Sequence, residues 1–337
     1  MAYSIGSDDI GFTDRTRAGK SVRRWPGATR RGVQVALGVL WLLDGALQLQ
    51  PFIFTADFAQ PILAPSGQDQ PAWIAVPTDF FAGLIAAYPA PLNLAFALIQ
   101  LALGVGFLVP RLIRPAIVVS VVWSAGIWWF AEGLGGLATG TASVVTGAPG
   151  AVLLYGVLAL AVWPAAEDRT SPDPDDSTVA GWFPFVWLIL WVGGALLQLL
   201  PSQSGAAAVH DQLGSADGTP AWLTSLHDLA GAVLSNAGSV PFIALVVVMV
   251  LIGVGGLAPR PWRTAAAVAG AVVATVFWVL GQNIGELYSG QATDPNTGPL
   301  IVLMALALVG SAASTRLPAR MPVVTVEASR DGSDGHS

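Results

Sequence analysis

The sequence contains no cysteine, which excludes disulfides, thiol redox chemistry, iron–sulfur ligation and any cysteine-held zinc site in this chain. Histidine is nearly as scarce: there are three, His210, His227 and His336. None lies inside an apolar run, so no haem is expected between two transmembrane histidines. Charge is thin too, at 11% of residues against roughly 25% in an ordinary soluble domain. No catalytic motif stands out, and no nucleic-acid partner is expected.

What fills the chain is apolar: 54% of residues are hydrophobic, gathered in long blocks rather than amphipathic stripes. The blocks run 32–50, 92–110, 115–134, 149–163, 182–200, 238–257, 264–284 and 299–315. Each is near the roughly 20 residues that cross a bilayer. An all-α integral membrane protein with eight transmembrane helices follows. The first block comes after an arginine-rich segment with no small-residue cleavage pattern, which predicts a retained first helix rather than a cleaved signal peptide.

The chain also repeats itself. Residues 127–150 answer residues 277–300 at an offset of 150, with Trp128 on Trp278, Gly135 on Gly285, Gly140 on Gly290 and Pro149 on Pro299. WLLDGALQLQP from Trp41 faces WVGGALLQLLP from Trp191, and Gly104-Val105-Gly106 faces Gly253-Val254-Gly255 at an offset of 149. The domains are therefore a basic cytoplasmic tail (1–31), a four-helix repeat (32–164), an acidic cytoplasmic linker (165–181), a second four-helix repeat (182–315) and a polar tail (316–337). An even number of spans per repeat makes the two parallel, related by a pseudo-two-fold axis along the membrane normal. The loop 51–91 is read as long, with PTDFFAGLIAAYP forming a short amphipathic helix at the outer interface.

Orientation comes from the basic residues. All 15 Lys and Arg fall on one side when both termini are cytoplasmic, as the positive-inside rule prefers. This predicts a multi-pass protein of the cell membrane, with the lipid bilayer as its first partner. The other face carries acids, among them Glu132, Glu286 and Asp294, so the net charge of −6 hides a polarised molecule.

Candidate ligand-binding residues are those whose polarity is costly where they sit. Asp44 interrupts an apolar helix, and a carboxylate there costs roughly 2.5–3.5 kcal/mol on insertion scales. It needs a partner, and Gln48 on the same helical face, Asn93 and Gln100 are candidates. Gln48 and Gln198 occupy equivalent places, each three residues before a proline, where a shared site and simple helix packing both fit. Glu132 aligns with Gln282, and Glu286 with Gly136; a helical reading puts Gln282 and Glu286 four apart on one face. Each repeat then has one carboxylate at the outer end of its third helix, before a Gly- and hydroxyl-rich connection. That connection is either a re-entrant segment lining a polar cavity or a glycine-rich turn in water. His210, His227 and Asp228 are weak metal candidates, because their spacing matches no ligand pattern.

A Gly-containing first helix, a long outer loop after it and a compact Gly-rich connection before the last helix make each repeat resemble the DoxX-like superfamily. That superfamily includes the small membrane subunit of thiosulfate:quinone oxidoreductase. The resemblance is carried by WLLDGALQLQP, WVGGALLQLLP and the two Gly-rich connections, and it covers both repeats. The chain departs from that superfamily by being a fused tandem duplication, and the resemblance implies an accessory or quinone-associated subunit working beside a membrane or extracytoplasmic redox partner. The residues themselves leave a second function open, a transporter of a small solute, proton or cation using the outward carboxylates.

Overall fold

The computed structural model describes residues 29–59, 63–164, 179–203, 208, 212–213, 218–237 and 239–311. The two tails and most of the linker fall outside the described residues, as do His210 and Asp217. All regular structure among the described residues is helical.

The chain forms α1 (Arg30–Leu47), α2 (Ala72–Ala87), α3 (Pro89–Leu108), α4 (Ile113–Phe130) and α5 (Ala151–Ala161), followed by α6 (Phe183–Gln198), α7 (Ala221–Asn236), α8 (Val240–Gly255), α9 (Arg260–Leu280) and α10 (Thr297–Ser311). Every apolar block of the sequence falls on one of these helices. By length and composition, three helical segments are long and apolar enough to cross a membrane: α3, Pro110–Phe130, which contains α4, and α9. The pair α7 and α8, bent by 104°, makes a fourth if counted as one span. Each half also has one more helix than its apolar blocks foretell. Ala72–Ala87 is a 16-residue helix with Pro77 inside it, where a long loop with a short helix was expected, and α7 is its counterpart.

Local chemistry explains the starts and ends. Thr29 caps α1, its side-chain oxygen accepting from Gly32 N at 3.0 Å, which satisfies one of the amides a helix start leaves unpaired. Arg31 donates to the carbonyls of Phe107 (3.0 Å) and Leu108. A cation thereby meets the negative end of α3. Arg31→Ala is expected to cost about 1–3 kcal/mol, read as a lower melting temperature of the detergent-purified protein.

Packing follows the faces. Val33, Leu37, Trp41, Asp44 and Gly45 line the buried stripe of α1, which lies along α3. The short α5 and α10 sit at the centre; α10 packs against α5, α1 and α6 and buries Leu300, Ile301, Leu303, Met304, Ala307 and Leu308. A helix apolar all round belongs inside a bundle. The outward surface is apolar as well: Val118 and Val122 on α4, Val247 and Leu251 on α8, Val268 and Val272 on α9 are all exposed. Such a surface suits hydrocarbon rather than water.

The connections before α5 and α10 share an unusual backbone. Gly133, Leu134, Gly135 and Gly136 have φ of +52°, +57°, +63° and +71°, and Asn283, Ile284, Gly285 and Glu286 have φ of +48°, +57°, +63° and +52°. Each is one turn of left-handed chain. Gln282 and Glu286 are therefore not a helical i,i+4 pair: α9 ends at Leu280 and the direction of winding reverses after it. Trp128 Nε1 donates to Pro149 O at 2.6 Å, and Trp278 Nε1 to Pro295 O at 2.7 Å. Pro149 thus corresponds to Pro295, not to Pro299, because the second connection is four residues shorter.

The connections also cross between halves. Val145 O accepts from Gln282 Nε2 at 3.5 Å, and Val144 presses on Gly194 of α6. In the opposite sense, Gln50 Nε2 donates to Ala292 O at 2.9 Å, and Asn296 lies against Gly147.

Candidate functional site

A cavity of about 410 Å³ opens at the end of the first half where these connections lie. Three carboxylic acids from three elements reach its wall: Asp44 from α1, Glu132 from the turn after α4, and Asp294 from the connection before α10. Gln48 and Gln100 add amides, and Trp41, Phe81, Phe96, Trp123 and Tyr155 add aromatic surface. Among the described residues, no Lys, Arg or His lines it.

Asp44 is only 2% exposed, and the Tyr155 hydroxyl stands beside its carboxyl. Trp41 and Tyr155 hold each other with ring centroids 4.3 Å apart. Gln48 turns its amide to Asn93 Oδ1 at 2.9 Å, and Asn93 in turn donates to the carbonyls of Ile53 and Pro89. That chain fixes the end of α1 against the start of α3, one function of a buried amide network.

Glu132 sits at the start of α5, where its Oε1 accepts the Val152 amide at 3.4 Å. The free amides and dipole of a helix N-terminus favour an acceptor there. In the second half Gln282 Oε1 accepts the Gly298 amide at 3.1 Å, the same cap made with a neutral side chain. The other Glu132 oxygen lies 2.0 Å from where a Cβ on Gly150 would stand, so Gly150 is a gap left for the carboxylate. Glu132 is partly exposed as a residue, yet its Oε2 is closed off from solvent and unpartnered. Burial, with Asp294 nearby, pushes Glu132 up to about 8 despite the Val152 amide. Asp294 is also raised by burial, partly offset by the Asn296 amide (2.7 Å) and the Thr293 hydroxyl (3.1 Å).

Raised acids bind protons more tightly folded than unfolded, so the folded state holds the extra proton between about 4.5, the unfolded value, and about 8. Stability from Glu132 is complete below that window and is lost as pH rises through it. Melting temperature in detergent should fall from pH 5 to pH 9, and Glu132→Gln should flatten that decline.

The remaining sequence candidates lie elsewhere. Gln198 is buried and donates to Gln212 Oε1 at 3.2 Å, inside a cluster in which Ser143 donates to Gln212 (2.8 Å) and Gln212 to Gln203 (2.7 Å). Gln282 braces the turn as described, and Glu286 lies outside the cavity lining. His227 is buried on α7 with Nε2 3.4 Å from Val279 O, while Asp228 is exposed. Among the described residues no group of three His, Cys, Asp or Glu is gathered for a metal ion. Asp294 and Tyr155 are cavity residues that sequence reasoning did not single out as a site. The signal for Asp294 is the Trp-to-Pro spacing, 21 residues in the first half and 17 in the second. Comparison with protein-family models, with curated proteins and with solved structures finds no match.

Proposed function

We propose that the chain is a multi-pass protein of the cell membrane with eight spanning segments, built as two parallel repeats, and that it holds a small molecule in the first-half cavity. It serves in this reading as an accessory subunit of an envelope redox assembly. One observation carries the ligand-holding role: a cavity of about 410 Å³, within the 300–1,000 Å³ usual for small-molecule sites, whose wall joins aromatic and apolar side chains to convergent polar groups. The matching left-handed turns and the matching Trp–Pro bonds support the duplication. The central α5 and α10 are too short to meet lipid on both sides, but they are walled by other helices rather than hydrocarbon. The resemblance to the DoxX-like superfamily supports the redox setting.

Native mass spectrometry of the protein released from lipid nanodiscs tests the cavity. Thr146 is exposed at its rim, so Thr146→Trp should block entry without disturbing the core. A bound small molecule retained by the parent and absent from Thr146→Trp is the expected result; no bound molecule in either refutes the role. Co-purification of a redox protein tests the setting. The three carboxylates favour a second reading, a cation or proton transporter, and flux into liposomes by the purified chain would establish it.

Topology has its own test. Reporters at Ser171 and after Arg330 should both read cytoplasm and one at Asp217 the exterior; an exterior signal at Ser171 overturns eight spans.

A further inference from the structure

Six residues of the cavity wall each have a buried polar atom without a hydrogen-bond partner among the described residues, save that the Asp44 carboxyl and the Tyr155 hydroxyl stand side by side: Trp41 Nε1, Asp44 Oδ1, Gln100 Oε1, Trp123 Nε1, Glu132 Oε2 and Tyr155 Oη. Trp41 and Tyr155 are each 1% exposed and Asp44 2%. Buried polar groups are nearly always paired, so a concentration of unpaired ones around a single cavity calls for an occupant. Four of the six are oxygens and three of those six residues carry acidic or phenolic groups, so the wall accepts more readily than it donates.

The charge balance narrows the occupant further. Asp44, Glu132 and Asp294 face one space without a Lys, Arg or His among the lining residues. An anion would meet acids with no cation beside them, whereas a cation supplies the counter-charge that lets such acids ionise. A bare metal ion fits poorly, because the acids reach the wall from three separate elements and are not gathered around one point. Trp41, Phe81, Phe96 and Trp123 line the same space, and aromatic faces attract a cation within about 6 Å of the ring centroid.

Resting on the reading of the cavity as a ligand site, we propose that its ligand is a small organic cation, an amine in its protonated form. The ammonium group takes the carboxylate side, with Asp44 as its principal counter-charge, and the organic body packs on the aromatic side. Asp44 then gains a charged partner besides the neighbouring Tyr155 hydroxyl.

The test uses the full chain in phosphatidylcholine nanodiscs and three probes of one shape, benzylammonium, benzyl alcohol and benzoate, with binding measured by titration calorimetry. Benzylammonium should bind at least tenfold more tightly than benzyl alcohol, and benzoate should not bind. Asp44→Asn should weaken benzylammonium at least tenfold and leave benzyl alcohol unchanged. Should Asp44→Asn not yield folded protein, Thr146→Trp at the rim must abolish benzylammonium binding. Equal affinity for the amine and the alcohol, binding of benzoate, or amine binding that survives Thr146→Trp overturns the proposal. Absence of amine binding overturns it too, and a neutral molecule then found by native mass spectrometry would leave the cavity reading standing alone.

Discussion

Gly135→Ala is expected to prevent the folded protein from accumulating, and Gly285→Ala to do nearly the same. Both glycines have φ of +63°, where an ordinary side chain costs about 1–2 kcal/mol. The larger obstacle is space. A Cβ on Gly135 would stand 2.3 Å from Pro149 O and 2.7 Å from Pro149 C, and one on Gly285 2.6 Å from Pro295 C and O. These are backbone atoms held by the Trp128 and Trp278 indoles, so they cannot swing aside. Gly83→Ala and Gly126→Ala are the controls, since a Cβ at either meets nothing within 4 Å. Detergent-solubilised yield by fluorescence-detected size exclusion should fall to background for the first two and stay at the parent level for the controls. A monodisperse Gly135→Ala peak of parent height would disprove this account of the turn.

Gly194→Asp is expected to be the most damaging single change in the second half. Position 194 answers Asp44, so the substitution copies a residue the first half tolerates. Here, however, Val144 Cγ2 lies 2.4 Å, and Met249 Cε 2.9 Å, from where the new Cβ would be. The carboxylate would enter a space already filled by apolar atoms. A buried unpaired charge of that kind costs about 3–5 kcal/mol, enough to consume much of a domain's stability. Adding Val144→Gly should restore part of the melting temperature, because it vacates the space; no recovery in the double variant would mean that the obstacle is not Val144.

The helices were legible because apolar blocks of bilayer length admit few other readings, and all eight lie on helices. Of the extra helices, α2 was read only in part, as the PTDFFAGLIAAYP helix, since Pro77, Thr78 and Asp79 break the apolar pattern of its first half, and α7 was not read. Asp44 announced itself by interrupting such a block, and Glu132 by preceding a glycine run. Asp294 stayed hidden for a geometric reason. At a constant offset it pairs with Val144, and in the stretch DPNT it reads as a loop acid facing water. Only the four-residue shortening of the second connection, seen once both indoles are found on their prolines, brings it to the wall of the other half's cavity. Glu286 is the converse case, since its place rested on a helix that has already ended.

The crossing of the two connections bears on how a site of this kind diverges. A free-standing half could complete its cavity only with the segment of a second molecule, and identical molecules about an axis would have to keep two equal chambers. Joined in one polypeptide, the halves are released from that equality. One carries an acid at position 44, while the other carries Gly194 with Val144 packed against it. The outcome is a chamber walled by both halves, and a lesion at Thr293 or Asp294, though encoded in the distant half, would register in the near one.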